Sequence, residues 1–123
     1  MARILVIDDD EPNREVVLAN LASLGHDLDQ ADCGTQATRM LERNHFDIVI
    51  TDVFMPDKDG LEMVLELKNN FPQTKIIAIS GAIKDEHVDY LKTAERMGAH
   101  CSLSKPFDFT ILVEKIDEML KRD

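Results

Sequence analysis

Four acidic residues in a row, Asp8, Asp9, Asp10 and Glu11, follow directly on the aliphatic run Ile4–Ile7. A second aliphatic run, "IVITD", stops at Asp52, and a third, "IIAIS", stops at Ser80. The segment "CSLSKP" then places Lys105 just before a proline. Carboxylates held close together cannot all stay ionised without a counter-charge. A hard divalent cation with oxygen ligands, Mg²⁺ above all, is the usual solution, and it needs only one or two protein carboxylates plus waters. Lys105 supplies a second, mobile positive charge. Metal, ammonium and hydroxyl could together bind the oxygens of a phosphoryl group, and the central carboxylate could itself be the nucleophile, forming an acyl phosphate. Such catalysis is positioning plus charge neutralisation, with no need for a histidine base.

These groups meet only if the runs that carry them are strands of one sheet. Ile4–Ile7, Ile48–Ile50 and Ile76–Ile79 are continuous rather than alternating, which suits parallel strands covered by helices on both faces. "HDLDQAD" (His26 to Asp32) and "CSLS" (Cys101 to Ser104) alternate, and the first is heavily charged; edge strands carry such patterns to discourage pairing with other chains. Three central strands and two edges are therefore expected. The first helix is expected from Pro12 to Leu24, with Val17, Leu21 and Leu24 as its apolar stripe and Gly25 as its cap. A second follows Gly34 and uses Ala37, Met40 and Leu41; a third follows Asp59-Gly60 and uses Leu61, Val64 and Leu65. A fourth covers Glu86 to Met97 and ends at Gly98. The last starts after Asp108, an N-cap, and buries Ile111, Leu112, Ile116 and Met119. Alternating strands and helices make an α/β domain with a parallel sheet, whose working site lies outside the carboxyl ends of the strands. The acids, Ser80 and Lys105 all stand at that rim.

Composition narrows the class. The chain has 123 residues, enough for one domain with a real core over 1–123 and too few for two. No apolar stretch reaches the length of a membrane span and no signal-peptide pattern opens the chain, so a cytoplasmic protein is expected. A net charge of −10 argues against direct, non-specific nucleic-acid binding. Cys33 and Cys101 are too few for a disulfide framework and read as small packing residues. His26, His45, His87 and His100 lack ligand spacing and read as surface or boundary residues.

Four segments in register carry a family resemblance over essentially the whole chain. "VIDDD", "TDVFMPDKDGLE", "ISGA" and "SKPF" resemble the acidic pair, phosphoacceptor loop, hydroxyl position and lysine–proline pair of the receiver domains of two-component response regulators. The resemblance implies a doubly wound, flavodoxin-like (βα)5 fold with five parallel strands in the order 2-1-3-4-5, in agreement with the two edges read above. It implies Asp52 as the phosphorylated residue. Asp9 is then a direct Mg²⁺ ligand, Asp8 contributes directly or through water, and the backbone carbonyl of Phe54 completes the protein ligands. Ser80 would hydrogen-bond the phosphoryl oxygen and Lys105 would pair with it, and the Lys105–Pro106 peptide would be cis. The donor would be a phosphohistidine on a sensor histidine kinase or histidine phosphotransfer protein. The output would be changed affinity for a downstream protein, at the fourth helix, fifth strand and fifth helix, from a receiver with no output domain on this chain. Such a protein is no enzyme beyond catalysing its own phosphorylation and dephosphorylation.

Several residues receive structural readings. Asp10 and Glu11 read as first-turn acids favoured by the helix dipole. Met55-Pro56 and Asp59-Gly60 read as a rigid turn and a helix start, and Phe107 and Phe109 as core packing. Three features depart from the family pattern. Ser102 stands where receivers commonly carry an aromatic residue, so any signal is expected to pass through the backbone after Ser80 and the fourth helix. The segment from Ser80 to Lys105 is a few residues longer than in the shortest members of that family, and the addition is assigned to a mobile loop, "GAIKDE". Phe54 and Ala82 offer no polar group to align an attacking water, which implies a long-lived phosphoryl state. The competing class is a small Mg²⁺-dependent phosphohydrolase of the haloacid-dehalogenase type, with the Asp8-x-Asp10 pair at its centre and Asp8 as nucleophile. A nucleotide-binding flavodoxin-like reading lacks a Gly-rich phosphate loop after the first strand.

Overall fold

The computed structural model describes residues 2–53, 60–81, 85–105 and 107–121. Strands and helices alternate along the chain: β1 (Arg3–Ile7), α1 (Glu11–Ala22), β2 (Asp27–Ala31), α2 (Gly34–Arg43), β3 (Ile48–Asp52), α3 (Gly60–Asn70), β4 (Lys75–Gly81), α4 (Asp85–Met97), β5 (Cys101–Lys105) and α5 (Phe109–Lys121). The strands form one parallel sheet in the order β2-β1-β3-β4-β5. The continuous aliphatic runs are the three central strands, and the two alternating segments are the edges, as expected. Among the described residues no helix is long and apolar enough to cross a membrane.

Side chains alternate between the faces of a strand, so each central run feeds two cores. Ile4, Val6, Ile48, Ile50, Ile77 and Ile79 pack on one face with Val17 and Leu21 of α1 and Leu112, Ile116 and Met119 of α5. Leu5, Ile7, Val49, Ile76 and Ala78 pack on the other with helical residues such as Leu41, Met63, Val64, Leu67 and Ala94. A run without polar interruptions is what a strand buried on both sides requires. Phe107 and Phe109 border the first of these cores, their ring centroids 5.2 Å apart, as expected of packing residues.

Three apolar assignments fail. Leu65 and Ile111 are 44% and 42% exposed. α3 turns Gly60, Met63, Val64 and Leu67 inward, and α5 turns Leu112, Ile116 and Met119 inward, so each exposed residue is one position off its helix's buried stripe. Leu24 has the right spacing for the α1 stripe, but α1 ends at Ala22 with Ser23 as its C-cap. Leu24 instead lies in a tight turn, its N–H donating to Leu21 O, and is exposed. Gly25 follows at φ 82°, a left-handed conformation that suits glycine, two residues beyond the observed cap. Asp10 is the N-cap of α1 rather than a first-turn acid, its carboxylate accepting the Asn13 N–H at 2.9 Å. Asp108 caps α5 as expected, accepting the Thr110 N–H at 2.8 Å.

Candidate functional site

The carboxyl ends of β1, β3, β4 and β5 present the carboxylates, hydroxyl and ammonium anticipated there. Asp8 extends the β1–β2 pairing by one residue, its N–H donating to Ala31 O at 3.2 Å. Asp52 is the last residue of β3, paired in register with Ile79 of β4, so Ser80 lies one step further along the neighbouring strand. Lys105 closes β5 opposite Gly81. Asp8, Asp52 and Ser80 are buried and Asp9 is exposed.

Gly60 explains how α3 meets this rim. Its N–H donates to Val53 O at 2.9 Å, which lays the helix start on the backbone just past Asp52. A Cβ on Gly60 would overlap Val53 Cα and approach Asp52 O to 2.5 Å, so no other residue fits without moving the helix or the strand end. The sequence marks Gly60 as no more than a helix start. Its tighter duty, contact with the strand end that carries Asp52, has no local signal in the sequence.

One ammonium serves two buried carboxylates. Lys105 Nζ lies 3.1 Å from Asp8 Oδ2 and 3.4 Å from Asp52 Oδ2. Burial alone would pull the Lys105 pKa down; the charges of Asp8 and Asp52 outweigh it and hold the ammonium above the usual lysine value. Asp8 Oδ1 also accepts the Asp10 N–H at 3.0 Å. One carboxylate oxygen from each of Asp8, Asp9 and Asp52 lies within 4.8 Å of the other two. Among the described residues, three carboxylates face one ammonium at this rim, an excess of negative charge. An all-oxygen donor set with that residual charge fits a hard divalent cation. The second mark of an unfinished site is Ser80 Oγ, which is buried and has no hydrogen-bond partner among the described residues. A buried hydroxyl left so costs about 1–3 kcal/mol, and an oxyanion beside Asp52 would supply its acceptor.

The structure thus brings together Asp8, Asp9, Asp52 and Lys105, with Ser80 on the strand beside Asp52. It does not bring Asp10 into the group, because that carboxylate caps α1; the Asp8-x-Asp10 pair of the phosphohydrolase reading is therefore not assembled. Phe54, Met55-Pro56, Ala82, Ile83 and the Lys105–Pro106 peptide lie outside the described residues, as does part of the "GAIKDE" loop. Ser102, in the place of the expected aromatic, is half-buried and donates its hydroxyl to a Glu95 carboxylate oxygen, which ties β5 to α4. One residue near the site escaped the sequence reading: Arg14, whose guanidinium reaches back to the Asp8 carbonyl. Its signal was a cation one helical turn after the acidic cap.

Known proteins resemble the chain across this whole arrangement. The family model of the response regulator receiver domain matches residues 4–117. The DNA-binding transcriptional regulator NtrC of Azospirillum brasilense is 37% identical over 119 residues, which are 97% of this chain and 24% of that protein. The sensor kinase CckA of Brucella abortus is 31% identical, over 98% of this chain and 13% of its own length. The chain therefore spans about a quarter or less of these two curated relatives. Among solved structures, the receiver domain of NtrX from Brucella abortus superposes with a TM-score of 0.91 at 26% identity, covering 98% of this chain and 99% of that one. A response regulator receiver domain protein from Clostridium thermocellum gives 0.90 at 29% identity, over 99% and 96%.

Proposed function

Because the chain belongs to the response regulator receiver domain family, we propose that it accepts a phosphoryl group on Asp52 and signals by changed affinity for a protein partner. The observation that carries this reading is the pairing of a buried, lysine-bound Asp52 with an orphaned Ser80 hydroxyl on the adjacent strand. The donor is a phosphohistidine of a sensor histidine kinase or histidine phosphotransfer protein. A carboxylate oxygen of Asp52 attacks phosphorus, the P–N bond to the imidazole breaks, and the imidazole leaves with its electron pair. The product on this chain is an aspartyl phosphate.

Asp8, Asp9 and Asp52, with the backbone carbonyl of Phe54, would hold Mg²⁺. When bound, the ion neutralises charge on the entering phosphoryl oxygens, which two negative carboxylates would otherwise repel. Lys105, already between Asp8 and Asp52, is placed to pair with a phosphoryl oxygen as the Asp52 charge is esterified. Ser80 donates its hydroxyl to another and so gains a partner that it lacks among the described residues. Neither Phe54 nor Ala82 carries a polar group to align a hydrolytic water, so the phosphoryl state is long-lived.

The shift is read out at α4, β5 and α5. With Ser102 bonded to Glu95 in place of an aromatic switch, the change runs through the backbone after Ser80 into α4. The domain occupies residues 1–123, acts in the cytoplasm and contacts no nucleic acid itself. Incubation with acetyl phosphate and Mg²⁺ tests the reading by intact-protein mass. Wild type gains one phosphoryl group, and chelation with EDTA or the substitution Asp52→Asn abolishes the gain. Undiminished labelling of Asp52→Asn overturns it.

A further inference from the structure

We infer that Arg14 is a positioning residue for metal binding, clamping the peptide that aims Asp9. This rests on the reading of Asp8, Asp9 and Asp52 as the Mg²⁺ site. Asp8 is held at four points. Its N–H donates to Ala31 O of β2 at 3.2 Å, its carboxylate accepts the Asp10 N–H at 3.0 Å and Lys105 Nζ at 3.1 Å, and its carbonyl accepts Arg14 Nη1 at 2.7 Å. Only the last bond acts on the peptide that joins Asp8 to Asp9. That peptide is a rigid plane, so fixing its carbonyl fixes the direction in which the chain delivers the Asp9 side chain. Asp9 needs such help. It is exposed, and no hydrogen bond or ion pair to another described residue holds its carboxylate.

Arg14 can do this because it is itself anchored twice. Its N–H donates to Asp10 O at 3.0 Å in the first turn of α1, and its Nε donates to Gln30 Oε1 on edge strand β2 at 2.6 Å. The planar guanidinium thus spans from β2 to the acidic loop, using two donors in fixed relation. A lysine at this position could reach one partner with one point charge, but not both in that geometry. Two effects of Arg14 on a bound cation oppose each other. Its positive charge repels Mg²⁺, while its fork holds the ligand loop in shape. Outer-shell contacts of this kind typically carry about tenfold or more in metal affinity, and the inference is that shape outweighs repulsion.

The experiment is a Mg²⁺ titration of the unphosphorylated full chain, followed by the amide NMR shifts of Asp9 and Asp10, with melting temperature in EDTA as a check on folding. Arg14→Ala is expected to weaken Mg²⁺ binding about tenfold. Arg14→Lys keeps the charge and loses the fork, and is expected to fall with Arg14→Ala rather than with wild type. Gln30→Met, which frees one end of the guanidinium, gives a smaller loss than Arg14→Ala and carries the test if Arg14→Ala does not fold. Unchanged or tighter binding by Arg14→Ala, or wild-type binding by Arg14→Lys, overturns the inference while leaving the metal site intact. A wild type that does not bind Mg²⁺ overturns the underlying reading with it.

Discussion

The two ends of the sheet are built on opposite terms. At the amino ends, polar groups are closed by side chains from neighbouring segments. His26 Nδ1 accepts the Ala2 N–H at 3.0 Å, and Asp47 Oδ2 accepts the Arg3 N–H at 2.8 Å. The Thr74 hydroxyl donates to Phe46 O at 2.9 Å, and His100 Nδ1 accepts the Ile76 N–H at 3.0 Å. At the carboxyl ends, two buried carboxylates share one ammonium, and a buried hydroxyl has no partner among the described residues. The difference separates what holds the fold from what does chemistry. A closed end gains little from a ligand, whereas the open end offers charge and hydrogen-bonding capacity to one.

Substitutions at the two ends should therefore diverge. The largest stability effect is expected at the rim itself, where Gly60→Ala forces α3 off the Asp52–Val53 backbone. About 3 kcal/mol of stability is lost, and phosphorylation falls with it; urea unfolding and acetyl-phosphate labelling check both. At the amino end, Thr74→Val removes the donor to Phe46 O and lowers stability by about 2 kcal/mol, with the labelling rate unchanged. A change in that rate would break the comparison.

Conversely, Asp52→Asn relieves repulsion at the open end. It is expected to raise stability in EDTA by about 1 kcal/mol while abolishing labelling; a loss of stability would mean that the carboxylates hold the fold rather than strain it. A last effect, on reactivity rather than stability, concerns Cys101, at the amino end of β5. Burial pushes its thiol up from 9.0 to about 11. At pH 8 it should react with iodoacetamide about a hundredfold more slowly than an ordinary thiol, because the thiolate is the nucleophile. An ordinary rate would show that end to be more open than its packing implies.

The open end was far more legible in the sequence than the closed one. Asp8, Asp52, Ser80 and Lys105 each terminate a strand candidate, and a parallel sheet places all such termini on one rim. The amino-end closures are different. His26 and His100 satisfy backbone groups 24 residues away and Asp47 one 44 residues away, so their role depends on register that no local pattern encodes. Helix rotation was half legible. The apolar stripes of α3 and α5 were found but assigned partly one position off, because Leu65 and Ile111 are as apolar as the residues beside them and only packing chooses between them. Arg14 was missed for the same reason as the closures: it lies on α1 and its partner Gln30 on β2, 16 residues away.

The central claim is that the open rim is a site of phosphoryl transfer to one aspartate. The most direct test is to phosphorylate the chain with acetyl phosphate and Mg²⁺, reduce the acyl phosphate with borohydride, and locate the modified residue by peptide mass spectrometry. Modification at Asp52 alone is the predicted result. Modification at Asp8, with Asp52 untouched, would contradict the account.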